Sequence, residues 1–174
     1  MKKQKDSSYK PQHIARTLAV QALYAYTIED HNKTLQWQAD KILKSYKKRE
    51  LIDDFNQADT NKLDFPDEDF FHKLISEFSS NKLNQEELIK RFLKGKWTIE
   101  KLDILLKVIL MLATFELQYF GDIPVKVIID EYVSITKLFY EKSEIGFVNG
   151  ILDAIGKELR NEEFEVQLKS QKDN

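Results

Sequence analysis

The stretch LLKVILMLATFEL, residues 105–117, constrains this chain more than any other. As a helix it is apolar nearly all round, and a helix without a polar face must be wrapped by other elements. Its unbroken apolar run falls far short of the roughly 18 residues a membrane span needs, and Lys107 interrupts it. It predicts the buried central helix of a soluble protein. What wraps it must be helical too. The 174 residues carry only five glycines and three prolines, and no regular spacing of turn residues marks out strands.

The apolar spacing predicts about seven helices. The first starts with Pro11 in its first turn and runs to about residue 29. The second covers about residues 34–46, with Leu35, Ala39, Ile42, Leu43 and Tyr46 inward. Residues 47–66 read as a loop, or in part as a continuation of the second helix as far as Phe55. The third is capped by Asp67, and the short fourth (NQEELIKRFL) is capped by Asn84 and stopped at Gly95. Thr98 is expected to cap the long fifth helix over residues 99–119, Pro124 to open the sixth, and Ser143 to cap the seventh. The domain reading is a flexible basic tail over 1–10, one helical domain over 11–160 and a frayed tail over 161–174. The domain divides into an N-terminal half at about 11–95 and a C-terminal half at about 96–160. The fold class is all-α, a bundle of two helical subdomains.

Composition narrows the function. The net charge of −2 argues against a general polyanion binder. The N-terminus is nevertheless basic: Lys2, Lys3, Lys5, Lys10 and Arg16 stand against Asp6 alone in the first 16 residues. The absence of cysteine excludes disulfides and thiolate metal sites and suits a cytoplasmic protein. The N-terminal stretch lacks the apolar core of a secretory signal. No glycine-rich phosphate loop, GxSxG elbow or HExxH motif is present, and His13, His31 and His72 are scattered. The run DEDFFH (67–72) has metal-ligating residue types, but acids opening a helix are ordinary cap and dipole chemistry. Neither a metal site nor catalysis is expected.

Two segments carry the candidate chemistry. On the wheel of the first helix, Ile14, Ala15, Leu18, Ala19, Ala22, Leu23 and Tyr26 fill one arc. The complementary arc holds Lys10, His13, Arg16, Thr17, Val20, Gln21 and Tyr24. Cations there can neutralise phosphates and the tyrosine can stack on an unpaired base; a solvated face with a packed tyrosine is the plainer reading. The second segment is SEIGFVNGILDAIGKEL, residues 143–159, where Gly146 and Gly150 interrupt a helical pattern at a cost of about 1 kcal/mol each relative to alanine. With Ala154 they form an i, i+4 ridge that predicts close approach of another helix, the sixth or the first. Phe147 lies at the edge of the apolar arc and Asn149 off it.

IARTLAVQALYAY resembles the opening helix of the NusB family, whose A-R-x-x-A-x-Q-x-L-Y pattern is met by Ala15, Arg16, Ala19, Gln21, Leu23 and Tyr24. The resemblance continues downstream of Trp97 with Glu116-Leu117, Asp122-Ile123-Pro124, Lys126-Val127 and Ile129-Asp130-Glu131. It ends with Phe147-Val148-Asn149-Gly150 and Leu152-Asp153. It covers the first helix and about residues 97–160; residues 30–96 agree mainly in helical character. Gln12, His13 and Ile14 stand where the family carries an arginine cluster, and Ser143 and Gly146 where relatives are often acidic and basic.

The resemblance implies an all-helical transcription antitermination factor. It would bind the boxA element of ribosomal RNA operons with NusE, a small-subunit ribosomal protein, and help an RNA polymerase complex read through terminators. It implies an RNA face containing Arg16, Tyr24 and Phe147, with Asn149 nearby, and the polar arc of the first helix adds Lys10, His13 and Gln21 as candidate RNA-binding residues. It places NusE on the fifth helix and the loop after it. No cofactor, metal, enzymatic activity or membrane is implied, and a monomer or weak homodimer is expected. Two rivals stand beside it: a helical protein–protein scaffold that does not touch RNA, and a module like those fused to ribosomal RNA methyltransferases. Against the second, the chain ends soon after the similar part, leaving no room for a catalytic domain.

Overall fold

In the computed structural model the described residues are 11–29, 33–48, 65–81, 85–95 and 97–163. They form seven α-helices and one short 3-10 turn: α1 (Pro11–Ile28), α2 (Leu35–Lys47), α3 (Glu68–Ser80), α4 (Gln85–Phe92), the turn Ile99–Lys101, α5 (Ile104–Tyr119), α6 (Val125–Thr136) and α7 (Lys142–Leu159). The fold is all-α, and no strand occurs among the described residues. The chain clusters into two compact units, Met1–Ser80 and Asn81–Asn174. The division near residue 95 expected from sequence shifts, because α4 packs on α5 and α7.

In the first unit, α1, α2 and α3 pack on one another. Thr34 accepts from the Trp37 N–H at 3.1 Å and caps α2. Asp67 accepts from the Phe70 N–H at 2.9 Å and caps α3 as expected, while its own N–H donates to the Pro11 carbonyl at 3.0 Å. The starts of α1 and α3 are thereby tied together. Glu68 pairs with Lys47 at 2.6 Å and His72 lies edge-on to Phe71, so the DEDFFH run serves a helix start. The proposed extension of α2 towards Phe55, and Asn84 as a cap, lie outside the described residues.

In the second unit, α5 is the wrapped helix, with α4, α6 and α7 packed on it and nearly every residue from Leu106 to Leu117 buried. Lys107, which breaks its apolar run, reaches Glu86 of α4 at 2.9 Å. Gly95 has φ of +65°, the left-handed conformation that ends α4 at little cost to a residue without Cβ.

Three details differ from the sequence reading. Thr98 opens only the 3-10 turn; extended backbone at Leu102 interrupts it, and Asp103 caps α5 by accepting from the N–H groups of Leu105 (3.0 Å) and Leu106 (3.4 Å). Tyr140 donates to that same Asp103 carboxylate. The seventh helix starts two residues earlier than a Ser143 cap would place it, because the Glu141 carbonyl already accepts from Ile145 at 3.1 Å. Finally, among the described residues no other helix comes close at the two glycines: a Cβ built at Gly146 or Gly150 meets no atom within 4 Å beyond its chain neighbours and its own helix backbone, and both residues are exposed. The face of α7 that packs is Val148, Ile151, Leu152, Ile155 and Gly156.

Candidate nucleic-acid interface

The complementary arc of α1 is not a solvated face throughout. Arg16 is 1% exposed and His13 7%, and Val20 is fully buried. The Arg16 guanidinium lies 4.6 Å from the ring centroid of Phe70 on α3, a cation–π contact in a dry setting. The physical reason is that both α2 and α3 pack on α1, so apolar neighbours cover more than the one arc the wheel identifies. Lys10 lies outside the described residues.

Farther along α1 the arc opens. Thr17, Gln21 and Tyr24 are half-buried, and their spacing of four and three residues sets them in one row. The Thr17 hydroxyl is spent on the His13 carbonyl at 2.9 Å. The Gln21 Oε1 is a buried acceptor without a donor. Of the first-unit residues singled out in the sequence, Gln21 and Tyr24 are the two brought together with partial access.

In the second unit Phe147 stacks on Trp97, ring centroids 4.3 Å apart and planes 28° from parallel. Both rings are half-buried, and Asn149 next to them in sequence is exposed. The indole therefore holds one face of the phenylalanine ring. Sequence reasoning registered Trp97 only as a flanking residue. Its partnership with Phe147 bridges distant sequence and leaves no local spacing signal.

The loop between α5 and α6 is held by a single side chain. Arg160, just past α7, donates from Nε to the Leu117 carbonyl, from Nη1 to that of Ile123 and from Nη2 to that of Phe120, each at 2.7 Å. Nη2 also reaches the Glu116 carbonyl at 3.4 Å. Two of these carbonyls also accept from the backbone, Glu116 from the Phe120 N–H at 3.0 Å and Phe120 from the Ile123 N–H at 3.1 Å, so the guanidinium adds to the helix-end bonds and supplies Leu117 and Ile123. Glu163 meets Nη1 at 3.3 Å and accepts from the Val125 N–H at 3.1 Å, capping α6 where Pro124 offers no side chain. The end of α7 and residue 163 are thus structural, whereas the sequence suggests fraying from 161. Within the unit, the buried Glu116 carboxylate accepts from the Tyr132 hydroxyl at 2.9 Å. Of the expected NusE surface, α5 itself is largely buried, and exposure concentrates at Gln118, Gly121, Asp122, Pro124, Lys126 and Val127.

Among the described residues no group of three or more histidines and acids could hold a metal ion, and no helix is long and apolar enough to cross a membrane.

The residues that organise the second unit and line its aromatic pair are those of the sequence resemblance, and comparison with known proteins decides its meaning. The model of the NusB family matches residues 13–157. The chain belongs to the NusB family. The transcription antitermination protein NusB of Caulobacter vibrioides is 33% identical over 151 residues, 87% of this chain and 95% of that protein. The protein of the same name from Sphingopyxis alaskensis is 36% identical over 146 residues, 84% and 92% of the two chains. Among solved structures, NusB of T. maritima superposes with a TM-score of 0.67 at 29% identity, covering 90% of this chain and 98% of that one. A chain in the crystal structure of a plectonemic RNA supercoil gives the same TM-score at 19% identity, over 86% of this chain and 96% of that one, and supports the fold.

Proposed function

We propose that this NusB-family chain acts in transcription antitermination by binding boxA RNA of ribosomal RNA operons together with NusE, promoting read-through by RNA polymerase. The observation that supports this most is the family match along residues 13–157, which spans both units and their aromatic positions. In this reading Tyr24 and Phe147 stack on unpaired bases, and Gln21 and Asn149 hydrogen-bond base edges. His13 and Arg16 are buried, and Arg16 acts by packing α1 against Phe70 of α3. The exposed loop residues Gly121, Asp122, Lys126 and Val127 supply the NusE contact.

With the Arg16 cation withdrawn from the face, this site predicts modest affinity for RNA alone and a shallow salt dependence. NusE would then raise both affinity and specificity. The test is a gel shift of boxA RNA against a scrambled sequence, with and without NusE. The expected result is a boxA preference that NusE strengthens, with Tyr24→Ala and Phe147→Ala each weakening the complex about tenfold. Equal binding of both RNAs in the presence of NusE would sink the proposal. The burial of Arg16 and His13 is also what favours the rival reading, a protein-binding scaffold. That reading predicts NusE binding with no shift of either RNA.

A further inference from the structure

One exposed face in the first unit is not used by the site above. Lys33, Trp37, Lys41, Lys44 and Lys48 recur at steps of four, four, three and four residues along α2 and its flanks. At about 100° per residue Trp37, Lys41, Lys44 and Lys48 fall within an arc of roughly 60° and extend about 17 Å along the axis, while Lys33 lies ahead of the extended cap residue Thr34. All five are exposed. Trp37, 42% exposed, has two ammonium groups near its ring: Lys33 Nζ is 4.9 Å and Lys41 Nζ 5.3 Å from its ring centroid.

Among the described residues, the acids beside this stripe are engaged. Glu29 lies 3.8 Å from Lys41 and accepts from Gln38, and Asp40, at the edge of the stripe, accepts from Gln36 at 3.0 Å. The opposite face of α2 (Leu35, Ala39 and Leu43) is buried, and α2 packs on α1 and α3. That helix cannot turn an apolar side to a lipid surface, and its outward stripe has a single large apolar residue.

We propose that this stripe is a second contact for single-stranded RNA, the lysines meeting successive phosphates and Trp37 stacking on an unpaired base. The inference rests on the RNA-binding reading above and extends the site of that reading to a helix outside it. An exposed indole with cations near its ring suits a strand that offers both a base face and phosphates. A duplex presents no free base face, and an acidic peptide has no need of the ring.

The test uses the full chain, a labelled single-stranded RNA and fluorescence anisotropy over a salt series. Trp37→Ala should weaken binding about tenfold. Lys33→Ala with Lys44→Ala should flatten the slope of log K against log salt by about 1.4, at about 0.7 for each phosphate no longer neutralised. Removing two lysines elsewhere, Lys90→Ala with Lys137→Ala, controls for net charge and should leave the slope unchanged. All these side chains are exposed, and circular dichroism checks that each variant is folded. If wild type binds RNA and the α2 variants bind it equally well with the same slope, the stripe is not an RNA contact and the primary reading survives. Weaker binding to phosphatidylserine vesicles or an acidic peptide, with RNA binding unchanged, would likewise overturn it. A wild-type chain that does not bind RNA would overturn both.

Discussion

Each unit buries an arginine beside its main helix, but the two are held in different ways. Arg16 in the first unit lies against an aromatic face, at 4.6 Å from the Phe70 ring centroid. Arg160 in the second unit donates to four backbone carbonyls at the end of α5 and in the loop after it. A contact with a ring depends on which side chain the neighbouring helix presents. A contact with carbonyls depends only on where the backbone goes, and the planar guanidinium with its five N–H donors suits that task. The Arg16 contact thus joins side chain to side chain, whereas the Arg160 contacts pin main chain.

Three substitutions probe the contrast, in order of expected effect. Arg160→Met keeps most of the side-chain volume but orphans carbonyls at a largely buried helix end. It should lower unfolding stability by about 3 kcal/mol, read as a fall in the urea midpoint at unchanged m-value. A drop below about 1 kcal/mol would mean that water replaces the guanidinium and that the pin matters little. Arg16→Met removes a desolvated cation–π contact while filling the space, and should cost about 1–2 kcal/mol. RNA affinity of that folded variant should stay within about threefold of wild type, since burial bars the side chain from direct contact. A tenfold weakening in a folded Arg16→Met variant would instead return this residue to the RNA face. Smallest and opposite in sign, Gly146→Ala and Gly150→Ala should each stabilise the second unit by about 0.5–1 kcal/mol, because the space around them is open. A rise in melting temperature accompanied by weaker RNA binding would show that a partner's backbone uses the glycine face.

Helix number and type were legible because each element carries its own periodic apolar stripe and its own stop, as Gly95 and Asp67 illustrate. The start of α5 was less so: Thr98 and Asp103 are both good caps, and extended backbone at Leu102 decides between them. The wheel of α1 identified the apolar arc but could not say how many helices would cover it, which is why Arg16 and His13 read as surface residues. The glycines of α7 failed for the converse reason. Small residues permit a close neighbour without supplying one. The Phe147–Trp97 stack and the Arg160 clamp join residues far apart in sequence, and no local pattern encodes such pairings. The α2 stripe is written openly at helical spacing, yet lysines on a helix are ordinarily counted as solvated surface.

Arg160 also sets an order of events. Its carbonyl partners lie 37 to 44 residues earlier in the chain. During synthesis, α1 to α3 have all been made by Ser80 and can assemble while the ribosome is still working. The second unit has no such early option. Its central helix emerges with an unfinished end, and the carbonyls there and in the loop after it gain the guanidinium donors only when the last turn of α7 and residue 160 have arrived. The half of the protein that carries the family's densest signature is therefore the half that finishes last, with a long closure to make before its final contacts reward it.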